Sequence, residues 1–192
     1  MSNLDQNVFK YQLQREDYIQ YYLYYTSTEP HVVKRRKRSR LLFMGVLTAI
    51  AVFFTVRNYN TNNKLDWTYI CLYGGMLVAM YMFRLWMEKS RYRKLYEKHV
   101  DTNFSDEIGK DNSVQFTDEN LVLKDGEHVT TISYQNITQI IEVKDHFYLS
   151  VEDGTSIILS KNVENYNDFS NNINLIKDQF DITFHQDLLR KW

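Results

Sequence analysis

The sequence predicts a membrane α-helical hairpin joined to an α+β domain, a small β-barrel or bent antiparallel sheet capped by a C-terminal helix. Three observations predict it. Two apolar segments are each flanked by basic residues. Short β-type runs separated by turn signals fill the C-terminal half. Charge is divided sharply between the two halves of the chain.

The division hides in the total. The 192 residues carry a formal charge of −1. Residues 1–100 hold sixteen Lys and Arg against seven Asp and Glu, a net of +9. Residues 101–192 hold seven against seventeen, a net of −10. Such asymmetry argues against one uniform domain. The single cysteine excludes an intrachain disulfide and a zinc site built from several thiolates. One proline and six glycines exclude a collagen-like or linker-like chain.

The first apolar segment, residues 41–56, runs without a charge between Arg40 and Arg57. Its sixteen residues make about 24 Å of helix, slightly short of a bilayer core of about 30 Å. Snorkelling of the flanking arginines makes up the difference. The second, residues 67–87, is uncharged until Arg84, whose side chain can reach back to the interface. Trp67, Tyr69, Trp86 and Tyr92 sit near its ends, where aromatic belts form. The first segment begins forty residues in, after a polar and tyrosine-rich leader, which argues against a cleaved signal peptide.

Orientation follows from the basic flanks. Six basic residues (Lys34, Arg35, Arg36, Lys37, Arg38 and Arg40) precede the first span. The connecting loop at 57–66 holds only Arg57 and Lys64. Six more follow from Arg84: Lys89, Arg91, Arg93, Lys94 and Lys98 complete the set. The expectation is a multi-pass protein with both termini cytoplasmic. The run at 34–40 reads as a topology signal rather than a nuclear localisation or nucleic-acid patch. An acidic domain would in any case repel phosphates. Lys34, Arg35, Arg36, Lys37, Arg38, Arg40, Arg91, Arg93 and Lys94 are also candidates for contact with anionic lipid.

Gly45 and Ala49 in the first span, and Gly75 and Ala79 in the second, recur at small-xxx-small spacing. They are expected to pack the two helices on each other, with homodimerisation as the alternative.

The leader, residues 1–33, contains a strand at 8–13 and a helix at 17–26. In the strand, Phe9, Tyr11 and Leu13 alternate with Val8, Lys10 and Gln12. In the helix, Tyr18, Tyr21, Tyr22 and Tyr25 recur at helical spacing, so it lies on the membrane surface or packs on the soluble domain. Pro30 ends it. Residues 34–100 form the two-span hairpin (41–56 and 67–87), and 88–100 extend the second helix as a basic stalk. Residues 101–192 form the cytoplasmic domain. Six strands follow from residue 113, with turns at Asp125-Gly126, Lys144-Asp145 and Asp153-Gly154. A helix at 163–179 closes the run, with Phe169, Ile173, Ile176 and Phe180 on one face. Val122, Ile132, Ile140, Phe147, Leu149 and Ile158 are the expected core.

No catalytic, cofactor or metal motif emerges. His128 and His146 are eighteen residues apart on separate strands. Acidic pairs such as Glu152-Asp153 fall in turns, and Gly74-Gly75 lies in an apolar helix, where it means packing rather than phosphate binding. Lys161 reads as a surface lysine, with anion binding as the alternative.

Nearly the whole chain resembles the YcxB-like membrane proteins of bacteria. The resemblance rests on Phe9, Tyr11, Asp17 and Tyr18, then Phe116-Thr117-Asp118-Glu119, Ile132-Ser133-Tyr134-Gln135-Asn136-Ile137, Phe147-Tyr148-Leu149, and Ile157-Ile158-Leu159-Ser160-Lys161. The family often has Trp where Tyr134 stands and Pro where Ser160 stands. The resemblance implies a bacterial cell-membrane protein whose C-terminal domain is pleckstrin-homology-like, with seven strands and a helix. Six strands after the spans leave one missing, and the strand at 8–13 can supply it. The expected function is non-enzymatic: the domain binds or regulates an unknown protein partner at the inner leaflet, with no cofactor and no nucleic acid. The alternative is self-immunity against a bacteriocin or toxin, since the layout also resembles accessory immunity proteins.

Overall fold

A computed structural model describes residues 8–62, 67–126 and 128–189. Residues up to Tyr21 pack with those from Lys98 onward, and Tyr22–Glu97 form a second compact unit. The boundaries read from sequence were 33/34 and 100/101, so the leader is divided between the two units.

In the first unit, β1 (Val8–Gln12) turns Phe9 and Tyr11 inward and leaves Val8, Lys10 and Gln12 exposed. It pairs antiparallel with β2 (Asp111–Phe116), Val8 opposite Gln115 and Gln12 opposite Asp111. Both long helices lie between these two strands in sequence. Next come β3 (Asn120–Asp125) and β4 (His128–Ser133), giving a sheet in the order β1-β2-β3-β4. Gly126, with φ of 55°, lets the chain reverse between β3 and β4, a conformation costly for other residues.

A 3-10 turn at Tyr134–Asn136 carries the chain to a second sheet. It comprises β5 (Ile137–Glu142), β6 (His146–Val151), β7 (Ser156–Ser160) and β8 (Thr183–Gln186), in the order β7-β6-β5-β8. A helix, α4 (Tyr166–Gln179), precedes β8. Among the described residues seven strands therefore follow the long helices, one more than expected. The additional strand, β8, runs parallel to β5. Four residues with one half-buried apolar side chain, Phe184, carry no readable alternation.

The barrel alternative does not form. Among the described residues no ladder joins the two sheets, which are open. They separate at Tyr134, whose fully buried ring packs on Phe180 and whose hydroxyl donates to the Thr117 carbonyl at 2.9 Å. The space that closure would remove is filled by α4. Phe169 of this helix meets Phe9, Phe116 and Phe147 with ring centroids 5.4, 5.8 and 5.9 Å away. The cluster joins both sheets, the helix and β1. Burying each phenyl ring contributes about 1.5–3 kcal/mol. Of the expected core, Ile140, Phe147, Leu149 and Ile158 are buried. Val122 is only half-buried, because Leu121 takes the core-facing position, and Ile132, opposite Leu121 on the same face, is also half-buried. The run Asn-Leu-Val-Leu places apolar residues on both faces, so either register looks plausible from sequence.

The aromatic helix is α1 (Arg15–Thr28). In the first unit, Tyr18 stacks on Phe104 at 4.9 Å, Tyr21 meets Tyr148 edge-on at 5.1 Å, and Ile19 is fully buried. This part of α1 packs on the β domain, the second of the two expectations. In the second unit, Tyr22 stacks on Tyr96 at 5.3 Å and the Thr26 hydroxyl is hydrogen-bonded to that of Tyr96.

The second unit is dominated by α2 (Pro30–Asn62) and α3 (Trp67–Asn103, to Glu97 within this unit). Pro30 ends α1 and opens α2, the first helical position that proline favours. The basic run at 34–40 is helical, as are Arg57 to Asn62, which sequence placed in the loop. Residues 63–66 of that loop lie outside the described residues. Both helices are long and apolar enough to cross a membrane, and their apolar windows are not buried in protein. The extension of α3 beyond residue 87 matches the expected stalk.

Candidate functional site

Where α2 and α3 approach each other at their basic ends, the sequence places arginines on both facing stripes. Arg36 and Arg40 lie one turn apart on α2, as do Arg84 and Glu88 on α3. Glu88 joins them: its carboxylate lies 2.9 Å from Arg40 Nε and 3.3 Å from Arg36 Nε. Arg36 also donates to the Thr26 carbonyl at 2.7 Å and lies over the Tyr92 ring. Arg84 does not turn along its own helix. Its Nη2 crosses to donate to the Ser39 hydroxyl at 2.8 Å, and its guanidinium rests 4.5 Å from the Phe43 ring centroid. Its Nε is buried and has no hydrogen-bond partner among the described residues.

These residues enclose a cleft of about 620 Å³, lined by Arg35, Arg36, Ser39, Arg84, Glu88 and Arg91 among others. Four guanidinium groups face one carboxylate. Arg35 and Arg91 form no ion pair among the described residues. Further along the same two helices lies an apolar groove of about 280 Å³, lined by Leu47, Ile50, Phe54, Tyr73, Leu77 and Met80 among others.

The structure thus brings together three of the nine candidate lipid-contact residues: Arg35, Arg36 and Arg91. Arg40 is adjacent and held by Glu88. Arg93 pairs with Glu97 on its own helix at 3.0 Å. Lys34, Lys37, Arg38 and Lys94 are exposed and do not line the cleft. Sequence reasoning missed Ser39 and Glu88 and read Arg84 as a snorkelling side chain and a topogenic charge. Its spacing of four and seven residues from Glu88 and Arg91 was the available signal.

The small residues do not lie at the contact between α2 and α3 among the described residues. Gly45, Ala49, Gly75 and Ala79 are all exposed, and a Cβ built on Gly45 or Gly75 would meet no atom within 4 Å. Contact between α2 and α3 runs instead through larger side chains, such as Phe54 against Tyr73 at 6.3 Å.

Among the described residues the β domain holds two partly buried polar pairs. His146 Nε2 lies 3.1 Å from Asp17 Oδ1, and the Gln14 backbone N–H donates to Asp17 Oδ2 at 2.7 Å, capping α1. Burial alone would raise the Asp17 carboxyl. The hydrogen bonds from His146 and Gln14 and the His146 charge outweigh it and hold that carboxyl below the usual range. Glu142 accepts from Lys161 Nζ and from Gln186, each at 2.7 Å. Burial opposes ionisation of Glu142, but Lys161 and Gln186 together hold its carboxyl low. Lys161, read as a surface lysine, is largely buried and bound to one carboxylate. Among the described residues no group of three His, Cys, Asp or Glu side chains is placed to hold a metal ion.

Residues 116–173 match the family model described as YcxB-like protein. No curated protein and no solved structure gives a match to the chain. The matched segment runs from the end of β2 through β7 into α4, and it contains Phe116, Tyr134, Phe147 and Phe169. The likeness to the YcxB-like protein family therefore holds over the stretch that supplies three of the four core rings and the turn between the sheets.

Proposed function

We propose that the protein is a non-enzymatic integral membrane module. In this reading α2 and α3 cross the cell membrane, both termini are cytoplasmic, and the β domain binds or regulates a protein partner at the inner leaflet. The observation that carries it is the β1–β2 ladder. A strand before the hairpin and a strand after it share one sheet, so both ends of a two-span hairpin must lie on one side of the membrane. The two basic flanks support the cytoplasmic side. Two four-stranded sheets with an aromatic-cored helix between β7 and β8 support a pleckstrin-homology-like arrangement, with β8 as an addition to it. His146 and Lys161 are each held by a carboxylate, which suits a scaffold better than proton transfer to a substrate.

Cysteine accessibility in intact cells tests the topology. In a Cys71→Ala background, Asn60→Cys should react with a membrane-impermeant maleimide, and Thr130→Cys only after permeabilisation. Labelling of Thr130→Cys in intact cells would overturn the reading. Photo-cross-linkers at the exposed Thr130 and Thr131 of β4 should then capture one reproducible protein. That capture should disappear when Phe169→Asp disrupts the domain.

A further inference from the structure

We propose that the arginine cleft and the apolar groove between α2 and α3 form one binding site for a single anionic diacyl phospholipid. The cleft takes the phosphate and the groove takes an acyl chain. The proposal rests on the membrane reading above and adds to it a ligand and a place.

Three observations point to it. The first is charge. Arg35, Arg36, Arg84 and Arg91 converge on a cleft whose lining holds one carboxylate, Glu88. Glu88 is shared between Arg36 and Arg40, so the cleft keeps a surplus of positive charge. Guanidinium groups present N–H forks that match phosphate oxygens. The second is the buried Arg84 Nε without an acceptor. A buried donor of this kind carries a desolvation cost that an incoming oxygen would relieve. Arg84 is held by Ser39 and the Phe43 ring, so its fork is already fixed in place.

The third observation is alignment. Eleven residues of α-helix complete three turns with about 20° to spare, so residues eleven apart share a face. Ser39 of the cleft and Ile50 of the groove are eleven apart. So are Arg36 and Leu47 on α2, and Met80 and Arg91 on α3. Cleft and groove therefore lie along one seam of the hairpin, about 16 Å apart along the axis. That is about half the thickness of a bilayer core, the depth to which one leaflet's acyl chains extend. A soluble phosphate would fill only the charged half.

The full-length protein, inserted into nanodiscs of phosphatidylcholine and phosphatidylglycerol in equal parts, tests this by native mass spectrometry of the lipid that it retains. One phosphatidylglycerol per chain is expected, in preference to phosphatidylcholine. Arg84→Gln should reduce its retention by about fivefold, the effect of one basic contact near the surface. Ala51→Leu, which fills the groove without touching the cleft, should also reduce it. Lys37→Gln and Arg38→Gln, which lie off the cleft, should not. Equal retention of phosphatidylcholine, or indifference to both Arg84→Gln and Ala51→Leu, would overturn the site while leaving the hairpin intact. Displacement of the lipid by soluble glycerol phosphate would assign the cleft to free phosphate instead. Failure of the chain to insert into nanodiscs would overturn the membrane reading as well.

Discussion

The two units of this chain solve the same problem with opposite surfaces. In the β domain, Phe9, Phe116, Phe147 and Phe169 are buried against one another and the polar strand faces are exposed. In the helical unit, Leu41, Leu42, Val46, Phe53, Leu72, Val78 and Met82 are each more than half exposed, while Glu88 is turned inward to meet arginines. In the membrane reading proposed above, each side chain is placed according to its solvent. An apolar exterior around a charged internal contact is stable beside hydrocarbon and would be costly in water.

Core truncation should break the contrast most strongly. Phe169→Ala removes the ring that touches the other three and should destabilise the β domain by about 3–5 kcal/mol. Denaturant titration of the detergent-solubilised protein should show early loss of β structure, with the helical signal retained. A charge placed on an exposed position should then separate the two surfaces. Val78→Arg, on the apolar face of α3, should oppose membrane insertion by about 2.5–3.5 kcal/mol, read as reduced membrane-integrated protein. Thr130→Arg, also at an exposed position, on β4, should change domain stability by no more than about 0.5 kcal/mol. Equal effects at the two positions would remove the contrast.

Smaller effects sharpen it. Tyr134→Phe removes the hydroxyl that donates to the Thr117 carbonyl between the two sheets and should cost about 1 kcal/mol in the same titration. The smallest effect is pH dependence in the β domain. Asp17 is held below its usual range, so its contribution is fully present above the unfolded carboxyl value of about 3.9. It is lost as pH falls through the lower folded value. Asp17→Asn should flatten the acid side of the stability profile.

Much of this fold was legible in the sequence, and the misses share a cause. The apolar windows, the Asp-Gly turns and the alternation of Phe9, Tyr11 and Leu13 are local patterns, and each emerges as an element. The missed β8 depends on a distant partner, β5, and its four residues carry almost no pattern of their own. The shift from Val122 to Leu121 arises because both positions are apolar, so packing rather than alternation selects the face. The small residues at 45, 49, 75 and 79 define stripes, but spacing on one helix does not say which stripe meets the neighbour. The cleft was half legible for the same reason: its charges were visible, but the crossing of Arg84 to Ser39 belongs to two helices at once.

The β1–β2 ladder also sets an order of events during synthesis. Gln12 leaves the ribosome 99 residues before its partner Asp111. At about 5–20 residues per second, β1 waits on the order of 5–20 s for a sheet to join. Both apolar helices emerge during that wait and can insert before the domain exists. Phe9 and Tyr11 meanwhile have no core to enter, so a chaperone acting on the nascent chain would find its target in β1. Maturation of the domain is thereby made conditional on completion of the hairpin.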